Sequence, residues 1–298
     1  METRPAPPLP SWLSAMLPFR RYTVDVGGLD MHVMECGQGT PVLMVHGNPT
    51  WGFLYRKVAT ALDGRPVRLI IPDLIGLGLS SKPRSSTAHT IENHGSWLAS
   101  LVRQLGFREL ILVCQDWGGP FGFEAVRQLG LDRLGAVVMN TVLSPPKPDL
   151  RPTAFHAFAR LPLVSDVAFR LLGFPQNAMF VAQGDKLSIR GKVRRGYMYP
   201  LRSPAGGKAT LALARLVPDS MSHPAIEPLG RIQRFVEDFD GPAAIVWGDK
   251  DPVLGSVRNW IAKLLPQAEV TRTNAGHFLQ EEVPDVIAAA ILKVRDRL

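Results

Sequence analysis

Two cysteines in 298 residues, Cys36 and Cys114, leave no basis for a disulfide scaffold and suit a reducing, cytoplasmic compartment. Cys114 follows the apolar run Leu110-Ile111-Leu112-Val113, which marks it as a buried thiol rather than a reactive one. Long apolar stretches are also missing. Nothing approaches the roughly 18–20 residues needed to span a bilayer, so stable membrane insertion is not expected. The segment from Ser11 to Phe19 is apolar but short. It lacks a crowded basic region ahead of it and a strong small-residue cleavage site, so it does not read as a signal peptide. It is expected to pack against the body of the protein. None of the seven histidines pairs at a metal-ligand spacing, which argues against a zinc site.

A net charge of +8 raises the question of nucleic acid. The basic residues are scattered, however, apart from a modest cluster at Arg190, Lys192, Arg194 and Arg195. No aromatic-interleaved basic motif, helix-turn-helix or finger spacing accompanies it. The cluster reads as a solvated helix face, and no nucleic-acid partner is expected. Prolines at 5, 7, 8 and 10 give the first ten or so residues the character of an extended tail.

Beyond the tail, short apolar runs bounded by turn residues alternate with helical patterns. This is the signature of a mostly parallel sheet flanked by helices. Tyr22–Val26 and Leu29–Met34 around Gly27-Gly28 read as a hairpin. Further strands are predicted at Val42–Val45, Val67–Pro72, Leu110–Cys114, Ala136–Met139, Ala243–Trp247 and Ala268–Thr271. Helices are predicted near 51–62, 91–105, 120–129, 254–265 and 284–296. The stretch 144–229 breaks this rhythm: it is rich in Phe, Leu, Pro and Arg and carries no convincing buried strand. It reads as a helical lid inserted between the sixth and seventh strands, over the carboxyl ends where open α/β sheets bind ligands. The domain division is therefore 20–143 with 230–298 for the core, and 144–229 for the cap.

Chemistry concentrates at strand ends. Cys114-Gln115-Asp116-Trp117-Gly118-Gly119 follows a buried strand and precedes a helix, the pattern of a nucleophile elbow. Asp stands where ester hydrolases usually carry Ser. A carboxylate attacks saturated carbon by displacement and forms a covalent alkyl ester. Alone, Asp116 also reads as a helix cap. His46-Gly47-Asn48-Pro49 follows the third strand, where this kind of loop donates a backbone N–H to an anion hole and Asn48 adds an amide. Asp249 and Asp251 follow the seventh strand and His277 the eighth, giving the chain order nucleophile, acid, His. A position a few residues past the strand points back more readily, which favours Asp251 over Asp249 as the group orienting His277.

Taken together, Asn48 in His46-Gly47-Asn48-Pro49-Thr50-Trp51, Gln115-Asp116-Trp117-Gly118-Gly119, Asp251 and His277 resemble a haloalkane dehalogenase of the α/β-hydrolase fold. The resemblance runs from Pro18 onward and includes the stretch from Pro72 to Ser80. It implies Asp116 as nucleophile, His277 as base, and Asn48 with Trp117 as halide ligands whose backbone N–H groups also form the oxyanion hole. It implies no cofactor and no metal. The partners are a small apolar halogenated substrate, halide and water, with the oligomeric state left open. Met139-Asn140-Thr141 carries no carboxylate, so the chain is similar to subgroups whose acid follows the seventh strand. A lid proline of relatives aligns near Leu213-Ala214. Phe155, Phe158, Phe169, Phe174 and Phe180 are candidates for a pocket lining or for lid core. Two alternatives share the Asp–His–Asp set. Epoxide hydrolysis would need lid tyrosines, for which Tyr197 and Tyr199 are candidates, and β-lactone decarboxylation would use the same Asp116.

Overall fold

Strand pairing begins earlier than the sequence suggests. The structure, a computed structural model, describes residues 2–147, 153–201 and 206–298. Among them β1 (Arg4–Pro5) lies antiparallel to β2 (Arg20–Asp25), so part of the expected tail is an edge strand. Pro5 is tolerated there because an edge strand has one side free of ladder bonds. The segment that follows is fixed by Leu13 and Leu17, both fully buried.

β2 and β3 (Asp30–Gly37) form the expected antiparallel hairpin. Its turn residues Gly27 and Gly28 have φ of +87° and +83°, and both donate N–H to Asp25 Oδ1. Two consecutive left-handed residues match the twist of the flanking strands, and only glycine takes that conformation without strain. β4 (Thr40–Val45), β5 (Val67–Pro72), β6 (Glu109–Gln115), β7 (Arg133–Met139), β8 (Ala243–Gly248) and β9 (Glu269–Thr273) are parallel to one another. The sheet order is β1-β2-β3-β5-β4-β6-β7-β8-β9.

The central strands are continuous apolar runs because helices cover both faces. Leu43, Val45, Leu112 and Cys114 face one core, which includes Trp117 and Phe121. Val42, Met44, Ile111 and Val113 face the other, with Trp51, Phe53 and Leu279. Between β7 and β8 the chain forms the helical insertion, with helices Ala154–Ala159, Val164–Arg170, Gly191–Met198 and Lys208–Arg215. The next helix, Ile226–Glu237, crosses residue 229 and packs on helix Gly118–Arg127 of the sheet layer. Phe155, Phe158, Phe169 and Phe174 contact one another with ring centroids 5.3–6.3 Å apart, so they form the lid's own core. Phe180 packs elsewhere, against the core containing Trp51 and Phe53. Among the described residues no helix is long and apolar enough to cross a membrane.

One buried ion pair ties three distant segments. Arg56 meets both carboxylate oxygens of Glu281 at 2.5 and 2.9 Å, and the Tyr197 hydroxyl of the insertion donates to Glu281 Oε1 at 2.6 Å. Removing one member of a buried pair strands the other charge, at a cost of about 3–5 kcal/mol. Glu281→Gln is therefore expected to lose about 3–5 kcal/mol in urea unfolding; a loss under about 1 kcal/mol would show that the charge finds another partner.

Candidate active site

The turn from β6 into helix Gly118–Arg127 forces Asp116 into a left-handed conformation, φ +52°. For a non-glycine residue this costs on the order of 1–3 kcal/mol and persists only where surroundings impose it. Three hydrogen bonds impose it. Asp116 N donates to the Asn140 carbonyl at 2.9 Å, while its own carbonyl accepts from Gly119 N at 3.0 Å and Thr141 Oγ1 at 2.5 Å. The turn also needs close backbone approach. A Cβ on Gly118 would lie 2.1 Å from the Val45 carbonyl oxygen, and one on Gly47 would lie 2.4 Å from Asp116 Oδ2.

That approach brings the loop after β4 onto the carboxylate. Asn48 N donates to Asp116 Oδ2 at 2.7 Å, and the Trp117 backbone N–H is a second donor. Burial raises the Asp116 carboxyl above the ordinary aspartate range; His277 and these two N–H groups oppose the shift without cancelling it. The loop is anchored from below. His46 Nδ1 donates to the Gly47 carbonyl, leaving Nε2 to accept from Leu74 N at 2.9 Å. Asp73, fully buried, accepts from Gly52 N at 2.8 Å and Leu79 N at 2.7 Å and pairs with His32. The stretch from Pro72 to Ser80 thus works as a scaffold for the Asn48 loop.

His277 follows β9 and places Nε2 3.8 Å from Asp116 Oδ1. Its Nδ1 lies 2.8 Å from Asp251 Oδ2. Of the two acids weighed in the sequence, Asp251 is the one that reaches His277; Asp249 instead pairs with Arg258 and Arg272. Asp251 also accepts from Asn140 Nδ2 and Val253 N, both at 2.7 Å. Burial alone would raise Asp251, but His277 and these donors hold it below the ordinary range. For His277, burial alone would lower the imidazole, and Asp251 with Asp116 outweighs burial to raise it.

Two residues here escaped the sequence reading. Asn140 follows β7, and its amide both orients Asp251 and clamps β8 by exchanging bonds with Gly248 N and O. Gln115 Nε2 lies 3.1 Å from the His277 carbonyl and 3.3 Å from His277 Nε2. Because a carbonyl only accepts, the amide must turn its nitrogen toward His277. When the ring is neutral, this amide donor and Asp251 together place its proton on Nδ1.

The two halide candidates adjoin Asp116 differently, Asn48 through its backbone N–H on the carboxylate and Trp117 as the next residue in the chain. Asn48 Nδ2 donates to the Thr210 carbonyl of the insertion at 3.0 Å, which fixes the amide's orientation and leaves its second N–H uncommitted to that bond. Trp117 Nε1 donates to no described residue, and the indole stacks on Phe121 with centroids 5.4 Å apart. Helix Lys208–Arg215 therefore meets Asn48 through Thr210, ahead of Leu213-Ala214; both of these are buried, Leu213 in the same core as Trp117. Gln176, almost fully buried, donates to Thr210 Oγ1 at 3.0 Å. The lid tyrosines are engaged otherwise. Tyr197 is bound to Glu281, and Tyr199 packs edge-on against Trp12.

A mostly parallel sheet, an elbow after β6 and a histidine after the last strand define an α/β-hydrolase. The family described as alpha/beta hydrolase fold matches residues 40–284. A haloalkane dehalogenase of Mycolicibacterium paratuberculosis is 30% identical over 291 residues, covering 94% of both chains. The crystal structure of the haloalkane dehalogenase DatA from Agrobacterium tumefaciens has a TM-score of 0.82 at 27% identity, over 96% of this chain and 99% of that one. DpaA from Paraglaciecola agarilytica, a haloalkane dehalogenase described as tetrameric, gives 0.79 at 26% identity over 98% of each. The chain belongs to the haloalkane dehalogenases, hydrolases that act on carbon–halide bonds.

The opposed effects on His277 can be separated. In an NMR pH titration its ring is expected to titrate above the ordinary value of about 6.5. In Asp251→Asn burial prevails and the midpoint should fall below that value; an unchanged midpoint would mean that Asp251 does not govern the ring.

Proposed function

We propose that Asp116 is the nucleophile, His277 the base and Asp251 the orienting acid of hydrolytic dehalogenation. Residues 20–143 and 230–298 serve as the catalytic core and 144–229 as the cap. Asp116 displaces halide from an sp³ carbon; the carbon–halogen pair leaves with the halide, and an alkyl ester forms on Asp116. Asn48 and Trp117 hold the departing halide with neutral N–H donors. A Lys or Arg in their place would pair with Asp116 and weaken it as a nucleophile. His277 then takes a proton from water, and the resulting hydroxide adds to the ester carbonyl. The Asn48 and Trp117 backbone N–H groups stabilise the oxyanion. Collapse expels the alcohol, restoring the Asp116 carboxylate, so that one water is consumed for each alcohol, halide and proton released.

The observation that carries this reading is the surroundings of Asp116: its charge partner is His277, 3.8 Å away, and its carboxylate is met by backbone N–H groups of Asn48 and Trp117, the two residues proposed to hold the halide. The separation from His277 leaves the imidazole close enough to the carboxylate to serve a water attacking the ester. Epoxide opening would require the lid tyrosines as acids, and the commitment of Tyr197 to buried Glu281 speaks against that use. The unpaired cysteines, on β3 and β6, favour a cytoplasmic setting.

Brominated alkanes are expected to release bromide, and Asp116→Ala should reduce this by at least about 10⁴-fold. His277→Phe should release one equivalent and stop, with a mass increase equal to the alkyl group. Turnover should fall as pH drops through the raised His277 pKa, because the base must be neutral to accept a proton. Absence of halide release, with a diol from a styrene-type epoxide or an olefin from a long-chain β-lactone instead, would sink the proposal.

A further inference from the structure

The insertion presents an aliphatic surface for which the cap has no internal use. Of the twelve large apolar side chains left exposed among the described residues, eight fall between 161 and 187. Helix Val164–Arg170 is the centre of this surface. Ser165 and Phe169 point into the cap, Phe169 joining the phenylalanine cluster. Val164, Val167 and Leu171, spaced along the opposite side, are 56%, 47% and 65% exposed. Leu163 and Leu172 extend the stripe at its two ends, and Leu163 is 79% exposed with φ +64°, a conformation that favours glycine. A continuous patch of this kind on a water-facing element marks a contact surface.

Charge identifies what it contacts. Residues 144–229 carry twelve Lys and Arg against five Asp and Glu, so seven of the chain's eight net positive charges lie in the insertion. Arg160, Arg170 and Arg215 are matched by Asp166 and Asp219. Lys186, Arg190, Lys192 and Arg194 are exposed, and no described carboxylate pairs with them. Three of the four bond only backbone carbonyls: Lys186 that of Val181, Arg190 that of Lys186, and Arg194 that of Asn177. Asn177 also donates to the Leu172 carbonyl at 2.9 Å, which joins the basic group directly to the end of the aliphatic stripe. Val181 and Leu187, both exposed, lie within the basic group itself.

We propose that this face of the cap docks on an anionic lipid surface. Its aliphatic side chains enter the boundary between headgroups and acyl chains, and its unpaired cations meet lipid phosphates. A protein partner would ordinarily be met by aromatic residues and methionine at the centre of a contact, whereas this stripe is made of leucine and valine bordered by Lys and Arg. The docking is peripheral. It differs from the Ser11–Phe19 segment, whose Leu13 and Leu17 are buried in the protein. It also does not depend on the roles of Asp116 or His277.

The test uses the full-length protein and sedimentation with vesicles of phosphatidylcholine containing about 30% phosphatidylglycerol, against phosphatidylcholine alone. Binding is expected to the anionic vesicles and to weaken at least about tenfold between roughly 0.05 and 0.5 M salt. Leu163→Ser combined with Leu171→Ser, and separately Lys186→Glu combined with Arg194→Glu, should each lower the bound-to-free ratio about tenfold or more. Turnover of a water-soluble haloalkane, unchanged in both variants, reports that the cap is intact; if it falls, circular dichroism and a second pair, Val167→Ser with Leu172→Ser, replace the first. Equal binding to neutral vesicles, or binding indifferent to these substitutions, overturns the proposal. So does failure to bind lipid, including the case in which the leucine pair instead separates a dimer of the wild-type chain.

Discussion

The close approach of the β4 and β6 exits is the constraint on which the site depends. Val45 lies opposite Cys114 in parallel register, so the loops leaving both strands emerge side by side. Asn48 and Asp116 are then only a few residues from the sheet, and the gap between them is filled by backbone. Gly118 lets the new helix sit against the Val45 carbonyl, and Gly47 gives the Asp116 carboxylate its place. The left-handed φ at Asp116 is the geometric consequence: the chain must reverse while keeping its side chain above the sheet. The same register logic runs outward. Gln115 pairs with Met139, so Asn140 is the first residue to clear β7 beside Asp116. Gly248 pairs with Thr273, which brings Asp251 and His277 out together.

Electrostatics then separates two carboxylates that share one imidazole. Asp251 is supplied with His277, the Asn140 amide and the Val253 N–H, and is held below the ordinary range despite burial. Asp116 receives backbone donors and a more distant imidazole, and burial wins. Environments that push paired titratable groups in opposite directions give them different work. The more richly hydrogen-bonded partner is suited to fixing a tautomer. The less compensated one is the carboxylate proposed as nucleophile. Gln115 fixes the His277 loop from below, its Nε2 donating to the His277 carbonyl at 3.1 Å.

How much of this was legible follows from whether the signal is local. The central strands were readable because apolar runs bounded by turn residues record a two-sided burial, and helix 91–105 because its periodicity is uninterrupted. Asp116, Asn48 and His277 were readable because each sits in a short motif at a strand end. The choice of Asp251 over Asp249 followed from distance along the chain, and the structure brings the chosen residue to His277. What stayed hidden depends on register between remote segments. Asn140 carries no carboxylate to mark it, and its part in the site rests on an amide that meets Asp251 across the sheet. Thr210 contributes a carbonyl, which no side-chain pattern encodes. The prolines at 5, 7, 8 and 10 give β1 the character of a tail, and its place at the sheet edge is what makes Pro5 compatible with a strand. By composition the lid phenylalanines fit pocket and core equally well, and their mutual packing makes four of them core.

The insertion is therefore more than a cover. Its Thr210 carbonyl sets the rotamer of the Asn48 amide, one of the two proposed halide donors, and its Tyr197 hydroxyl shares the buried carboxylate of Glu281 with Arg56. Arg56 begins the helix that follows the Asn48 loop, and Glu281 lies just past His277. Any shift of the cap is thus felt at both sides of Asp116: at Asn48 through a direct hydrogen bond, and at the His277 loop through a buried ion pair that tolerates little displacement. Contacts of the cap's outer face bear on the same element, because helix Val164–Arg170 packs against Lys208–Arg215, the helix that carries Thr210. A surface that engages the outer face can therefore act on the donor geometry around Asp116 without touching the site.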